Sequence, residues 1–225
     1  MMRRRRFFQG NWVTVLLLAL QIAIFIAETA AGGSESTMVL YRFGAKINGS
    51  VQAGEWWRLF TPIFIHIGWM HLLVNSATLY YIGGSVEQMI GHWRFLVIYL
   101  LSGISGNLMS FAFGASNTIS AGASTALFGL FGVYIALGVV FRDNAYLRET
   151  GRQFVVLAVF NFVFDLVAQG IDLWGHLGGL IGGFMLLLVF PLPGQRRRQG
   201  TIVQICAIIG YFVICAFLYR IGMVR

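Results

Sequence analysis

Ser124, His176, His71 and Asn75 are polar residues set inside long apolar runs. A serine hydroxyl is a weak nucleophile until a base takes its proton, and an imidazole within hydrogen-bonding reach is the usual base. His71 adds a second imidazole and Asn75 an amide. Ionisable and strongly polar groups in membrane-spanning segments are costly, so each is a functional candidate by default. Isolated interhelical hydrogen bonds, each worth little, would account for any one of these residues. They account poorly for all four at one depth.

That common depth follows from the apolar runs. The chain has 225 residues, of which 58% are hydrophobic and 11% charged. So few charges cannot wet the surface of a soluble domain of this size. A span needs ~20 residues to cross ~30 Å of hydrocarbon. The pattern predicts an all-α polytopic membrane protein with seven spans. They lie at about 13–27, 65–82, 95–113, 121–141, 154–168, 173–190 and 202–219. A long amphiphilic connection, about 30–64, joins the first two, and 142–153 reads as a charged loop. Little is left for a soluble domain, so residues 1–225 read as one membrane domain, with a core of about 12–191 and an extra C-terminal helix at about 201–220. The first apolar run, after MMRRRRFFQGNW, is long enough to span, which favours a retained helix over a cleaved signal.

Orientation comes from the basic residues. With a cytoplasmic N-terminus, Arg3 to Arg6, Arg94, Arg142, Arg148, Arg152 and Arg196 to Arg198 lie inside. Only Arg42, Lys46, Arg58, Arg220 and Arg225 lie outside, and this asymmetry supports the orientation. Spans two, four and six then all begin at the outer level, where His71, Ser124 and His176 sit. The net charge of +8 therefore reads as a topology signal and not as a nucleic-acid footprint.

Glycines indicate which faces meet. His176, Gly179 and Gly183 share one helix face, and Gly129 and Gly132 follow Ser124 on span four. Small residues let helices approach closely in a membrane. Such an approach is what a serine oxygen and an imidazole nitrogen need in order to bond.

These segments resemble the rhomboid intramembrane serine proteases. EWWRLFTPIFIH at 55–66 resembles the family's Trp-Arg segment, with Trp57 and Arg58. HIGWMHLLVN at 66–75 resembles its His-and-Asn span, and GGSVEQMIG at 83–91 its glutamate stretch, here Glu87. GASTALFGLFG at 122–132 resembles the nucleophile segment, and GHLGGLIGG at 175–183 the histidine with its glycine stripe. The resemblance covers about 55–190. It departs at Thr125, where many members carry glycine and a different substrate-pocket shape is expected. It departs again at Phe128, where some carry a tyrosine against which the histidine packs. The seventh span resembles the six-plus-one variants.

The resemblance implies a six-helix core and a Ser–His dyad, with Ser124 as nucleophile and His176 as general base. It implies that His71, Asn75 and the Ser124 backbone N–H stabilise the oxyanion. Substrates would be transmembrane segments of other membrane proteins, cut near their extracytoplasmic ends and reached through lipid. No cofactor is implied. His66, five residues before His71, reads as pointing to another face and making a structural hydrogen bond. Glu87 reads as a helix-end or loop tether. Asp172, one turn before His176, reads as a solvated loop end rather than a third catalytic group, and His92 as a solvated cytoplasmic residue. The phenylalanine-rich fifth span, capped by the loop from Gln169 to Asp172, reads equally as a lateral gate or as a lipid-facing helix.

Three other classes fit less well. His66 and His71 lack the i,i+4 spacing of a helical zinc pair, and no cysteine lies near them. Cys206 and Cys215 lie on opposite faces of one helix and read as small hydrophobes. A channel or transporter would carry polarity through its full depth or two related halves. An inactive client-binding relative would lack the serine or the histidine.

Overall fold

The computed structural model describes residues 10–168, 170–190 and 200–225. The arginines at 3–6 and 196–198 and Gln169 of the expected cap loop lie outside the described residues. Every regular element among the described residues is helical, and one isolated bridge pairs Lys46 with Ser120.

Helix α1 (Trp12–Ala30) is the first long apolar helix. Its N-terminus is held by a carboxylate from elsewhere in the chain. Glu87 accepts from the Val13 N–H at 3.0 Å, the Thr14 N–H at 2.8 Å and the Thr14 hydroxyl at 2.7 Å. This satisfies donors that a helix start leaves unpaired and sets a negative charge at the positive dipole end. Glu87 also pairs with His92, whose ring packs 5.1 Å from that of Trp12. His92 is thus a partner in this anchor and not a freely solvated side chain.

The connection to the next span is built from α2 (Thr37–Phe43), α3 (Asn48–Gln52) and 3-10 turns at Trp56–Leu59 and Thr61–Phe64. Arg58 organises it. The residue is 4% exposed, and its guanidinium donates to the carbonyls of Tyr41 and Ala45 at 2.8 and 2.9 Å, pairs with Glu55 and lies 4.2 Å over the Tyr41 ring. The fork of donors in a guanidinium suits this several-way junction. Trp57 makes no comparable junction and keeps its ring exposed beside that of Trp56.

The second span begins at Trp69, later than the expected Ile65. It runs through α4 (Trp69–Thr78), a π-helical turn (Leu79–Gly83) and α5 (Gly84–Ile90) without leaving helical dihedrals. His66 therefore precedes the helix, so helical spacing from His71 does not set its direction, contrary to the expectation of another helical face. Its ring lies 5.4 Å from that of His71, edge to face. Neither ring nitrogen has a hydrogen-bond partner among the described residues, and the backbone N–H makes a long 3.5 Å bond to Glu28.

The remaining helices are α6 (His92–Phe113), α7 (Ser124–Val140), α8 (Ala145–Val167), α9 (Leu173–Val189) and α10 (Thr201–Val224). The charged loop expected at 142–153 is mostly helix. Asn144 accepts from the Leu147 N–H at 3.1 Å, an N-cap that starts α8 at Ala145, and Arg148, Glu149 and Arg152 on that helix are exposed. Helices α1, α6, α8 and α10 are long and apolar enough to cross a membrane. Helices α7 and α9, with 17 residues each, rise only about 25 Å.

Helix α7 lies at the centre, buried on nearly every side, with a core shared with α1, α5, α6, α9 and α10. It touches α9 almost backbone to backbone. A methyl group at Gly179 would lie 1.9 Å from the Thr125 carbonyl oxygen, and one at Gly183 would lie 1.9 Å from that of Gly129. Helices α8 and α10 expose most of their surface.

Candidate active site

The ends of several elements meet at one level. Ser120 bridges to Lys46 through backbone bonds of 2.8 and 3.0 Å, tying the loop before α7 to the first connection. The Arg225 guanidinium donates to the carbonyls of Ala112 and Gly114 at 3.1 and 3.0 Å, so the end of α10 lies beside the end of α6. At this level lies a cavity of about 450 Å³, lined among others by Ser124, His176, His71, Asn75, Asp165 and Asp172.

Ser124 is the first residue of α7 and is partly buried. A first-turn N–H has no intrahelical acceptor and lies at the positive dipole end, which favours a nearby anion. Just before it, Gly122 has φ +136°, and a methyl group there would lie 2.7 Å from Nε2 of His71. Both the conformation and the space require glycine. Its missing side chain leaves His71 its place beside the loop. Asn75, one turn after His71, is 5% exposed, and its amide nitrogen has no hydrogen-bond partner among the described residues. Such a buried donor is costly unless something in the cavity accepts from it.

His176 stands in the first turn of α9 and is 7% exposed. Its ring is stacked on Phe128, with centroids 4.0 Å apart and planes 10° apart. Nδ1 lies 2.6 Å from Oδ2 of Asp165 on α8. No hydrogen bond joins Ser124 to His176 among the described residues. Nucleophile–base contacts are often loose without substrate and tighten when it binds.

Asp172 is not a solvated loop end. Oδ1 accepts from the Gly175 N–H at 2.9 Å, capping α9. Oδ2 accepts from the hydroxyls of Ser110 and of Ser120, the latter at 2.7 Å. This carboxylate joins α6, the 114–120 loop and α9. Nearby, Lys46 is fully buried and donates to Asn48 at 3.1 Å. Burial pushes its ammonium below the usual lysine range, and the charge of Asp172 works against that shift.

Thr125 is 4% exposed and packs between Gly106 of α6 and Gly175 of α9, so it sits in a helix interface and not on the cavity wall. The expected effect on pocket shape is therefore not a direct contact. The fifth span's phenylalanines divide. Phe160 and Phe164 are exposed, whereas Phe162 lies 5.5 Å from the ring of Phe128 and Phe154 stacks 4.0 Å from Tyr134. Among the described residues, no group of three or more His, Cys, Asp or Glu has metal-site geometry.

Asp165 is the residue that sequence reasoning missed. One signal could have found it. It is the single acidic residue of the apolar run FVVLAVFNFVFDLV, and a carboxylate there is as costly as a histidine.

A family profile for the Rhomboid domain matches residues 53–192. The chain is similar to rhomboid protease GluP of Bacillus subtilis, 42% identical over 204 residues that make up 88% of this chain and 39% of that one. YdcA of the same organism is 36% identical over 186 residues, 82% of this chain and 92% of its own. Rhomboid-like protease 2 of Toxoplasma gondii is 32% identical over 176 residues, 76% of this chain and 62% of its own. The chain thus spans about two fifths of GluP and nearly all of YdcA.

Proposed function

The chain belongs to the rhomboid family, and from that premise we propose that it is an intramembrane serine endopeptidase acting on transmembrane segments of other membrane proteins. Ser124 Oγ attacks a peptide carbonyl while His176 takes its proton at Nε2. The imidazolium then passes that proton to the leaving amine, and water, activated by the same ring, hydrolyses the acyl-enzyme. The oxyanion accepts from His71, from the Asn75 amide and from the Ser124 N–H, donors held in place before charge develops.

The observation that carries this reading is the cavity into which Ser124, His176, His71 and Asn75 all face from α4, α7 and α9. A buried Asn75 donor with no acceptor of its own fits an oxyanion site. The excess of arginine on one side supports an extracytoplasmic cavity, with cleavage near the outer end of the substrate helix. Cleavage needs water and an unwound backbone, and both are available near the membrane surface. The exposed apolar faces of α8 and α10 are suited to lipid, through which such a substrate arrives.

The test is labelling by a serine-directed phosphonate in membranes or detergent, alongside cleavage of a model transmembrane substrate. Wild type should label and cleave. Ser124→Ala should do neither, and His176→Ala should lose cleavage while still inserting. Equal labelling of wild type and Ser124→Ala would remove the assignment.

A further inference from the structure

We propose that Asp165 is a positioning residue for His176: a carboxylate from α8 that fixes the ring's orientation and tautomer toward Ser124. This rests on the protease reading above.

The geometry is specific. Asp165 Oδ2 lies 2.6 Å from His176 Nδ1, a short contact between two residues that are each 7% exposed. An ionised carboxylate only accepts, so the bond requires the proton on Nδ1. That tautomer leaves the Nε2 lone pair free, which is what a general base needs toward a serine hydroxyl. The same carboxylate stabilises the imidazolium once the proton has moved. Phe128 covers one face of the ring, so the stack fixes the plane and Asp165 fixes the rotation within it.

The setting of Asp165 argues against a chance contact. Its neighbours Val163, Phe164, Leu166 and Val167 are all exposed, and of these only Phe164 also borders the cavity, whereas Asp165 is buried. An acidic residue in an apolar helix is expensive unless it is paired. Asp172, nearer His176 in sequence, is already engaged by Gly175, Ser110 and Ser120. The ring's carboxylate partner therefore comes from α8.

A carboxylate that merely ties α8 to α9 would be replaced adequately by an amide. Asn in place of Asp can instead donate its NH₂ to Nδ1, which moves the ring proton to Nε2 and blocks the base. In soluble serine proteases the equivalent change lowers kcat by about 10⁴ with the geometry intact.

The experiment compares wild type, Asp165→Asn, Asp165→Glu and Ser124→Ala for kcat and KM on a transmembrane substrate, together with thermal midpoints. Asp165→Asn should lose on the order of 10²–10⁴ in kcat, with KM and the midpoint close to wild type, and Asp165→Glu should recover part of that loss. A kcat within about threefold of wild type in Asp165→Asn, with Ser124→Ala inactive, would overturn the role of Asp165 and leave the protease reading intact. Turnover by Ser124→Ala would instead sink the assignment of Ser124 as nucleophile on which the proposal rests. Nitrogen-15 NMR of the wild-type ring, at a pH where it is neutral, needs no variant to fold. It should report the proton on Nδ1, and a proton on Nε2 would overturn the proposal.

Discussion

The imidazole of His176 lies flat against the ring of Phe128, 4.0 Å between centroids and 10° from parallel. Phe128 follows Ser124 by one helical turn on α7, so the stack is also the contact that brings the candidate base over the helix carrying the candidate nucleophile. Aromatic pairs of this kind contribute about 0.5–1.5 kcal/mol beyond the area they bury. Phe128→Ala should therefore reduce kcat on the order of tenfold, because the ring loses its resting plane. Phe128→Tyr keeps the face and should retain most turnover. Steady-state kinetics of the two variants check this, and an Ala variant as fast as wild type would show that the stack does not matter.

Asn75 should matter in the transition state more than in binding. Its buried amide has no partner among the described residues and lines the cavity where the proposed oxyanion would form. Asn75→Ala should lower kcat on the order of 10²–10³ with little change in KM. A rise in KM alone would assign Asn75 to substrate binding.

The contact of α9 with α7 allows almost no displacement. Gly179→Ala would drive a methyl group into the Thr125 carbonyl oxygen, a backbone atom that cannot swing aside. The helices must separate, and His176 moves away from Ser124 with them. A misplacement of about 1 Å can cost on the order of 10²-fold in rate, and a loss of that size is expected here. Gly210→Ala on α10 is the control, because its methyl would meet only the mobile tip of Met185 at 3.1 Å. Equal activity in the two variants would refute the close-packing argument.

Glu87 should govern stability and leave the chemistry alone. Glu87→Ala strands two backbone donors at the start of α1, the Thr14 hydroxyl and the His92 pairing, all away from the cavity. Loss of one partner from a buried charged network costs on the order of 3 kcal/mol. The thermal midpoint in detergent should fall by roughly 5–10 °C. The active-site labelling of the folded fraction should be unchanged.

Much of the architecture was legible before any coordinates. Apolar run length gives helices that need no external backbone partners, and every regular element among the described residues is helical. The glycine spacing at Gly179 and Gly183 marked the face that meets α7, because only a residue without a side chain tolerates a carbonyl at that range. The boundaries were less legible where capping outweighed composition. Asn144 starts α8 within a stretch whose charges suggested a loop, and Gly68 delays α4 past His66.

The sequence by itself determined which groups are too polar for lipid and at which ends of the spans they lie, because hydropathy and helical rise depend only on the order of residues. It could not decide which of them touch. Whether Asp165 or Asp172 reaches Nδ1 of His176, whether Thr125 faces the cavity or α9, and whether His66 lies beside His71 depend on how each helix is rotated about its axis and where it crosses its neighbours. Those angles are set by contacts between residues distant in the chain, so only the tertiary structure fixes them.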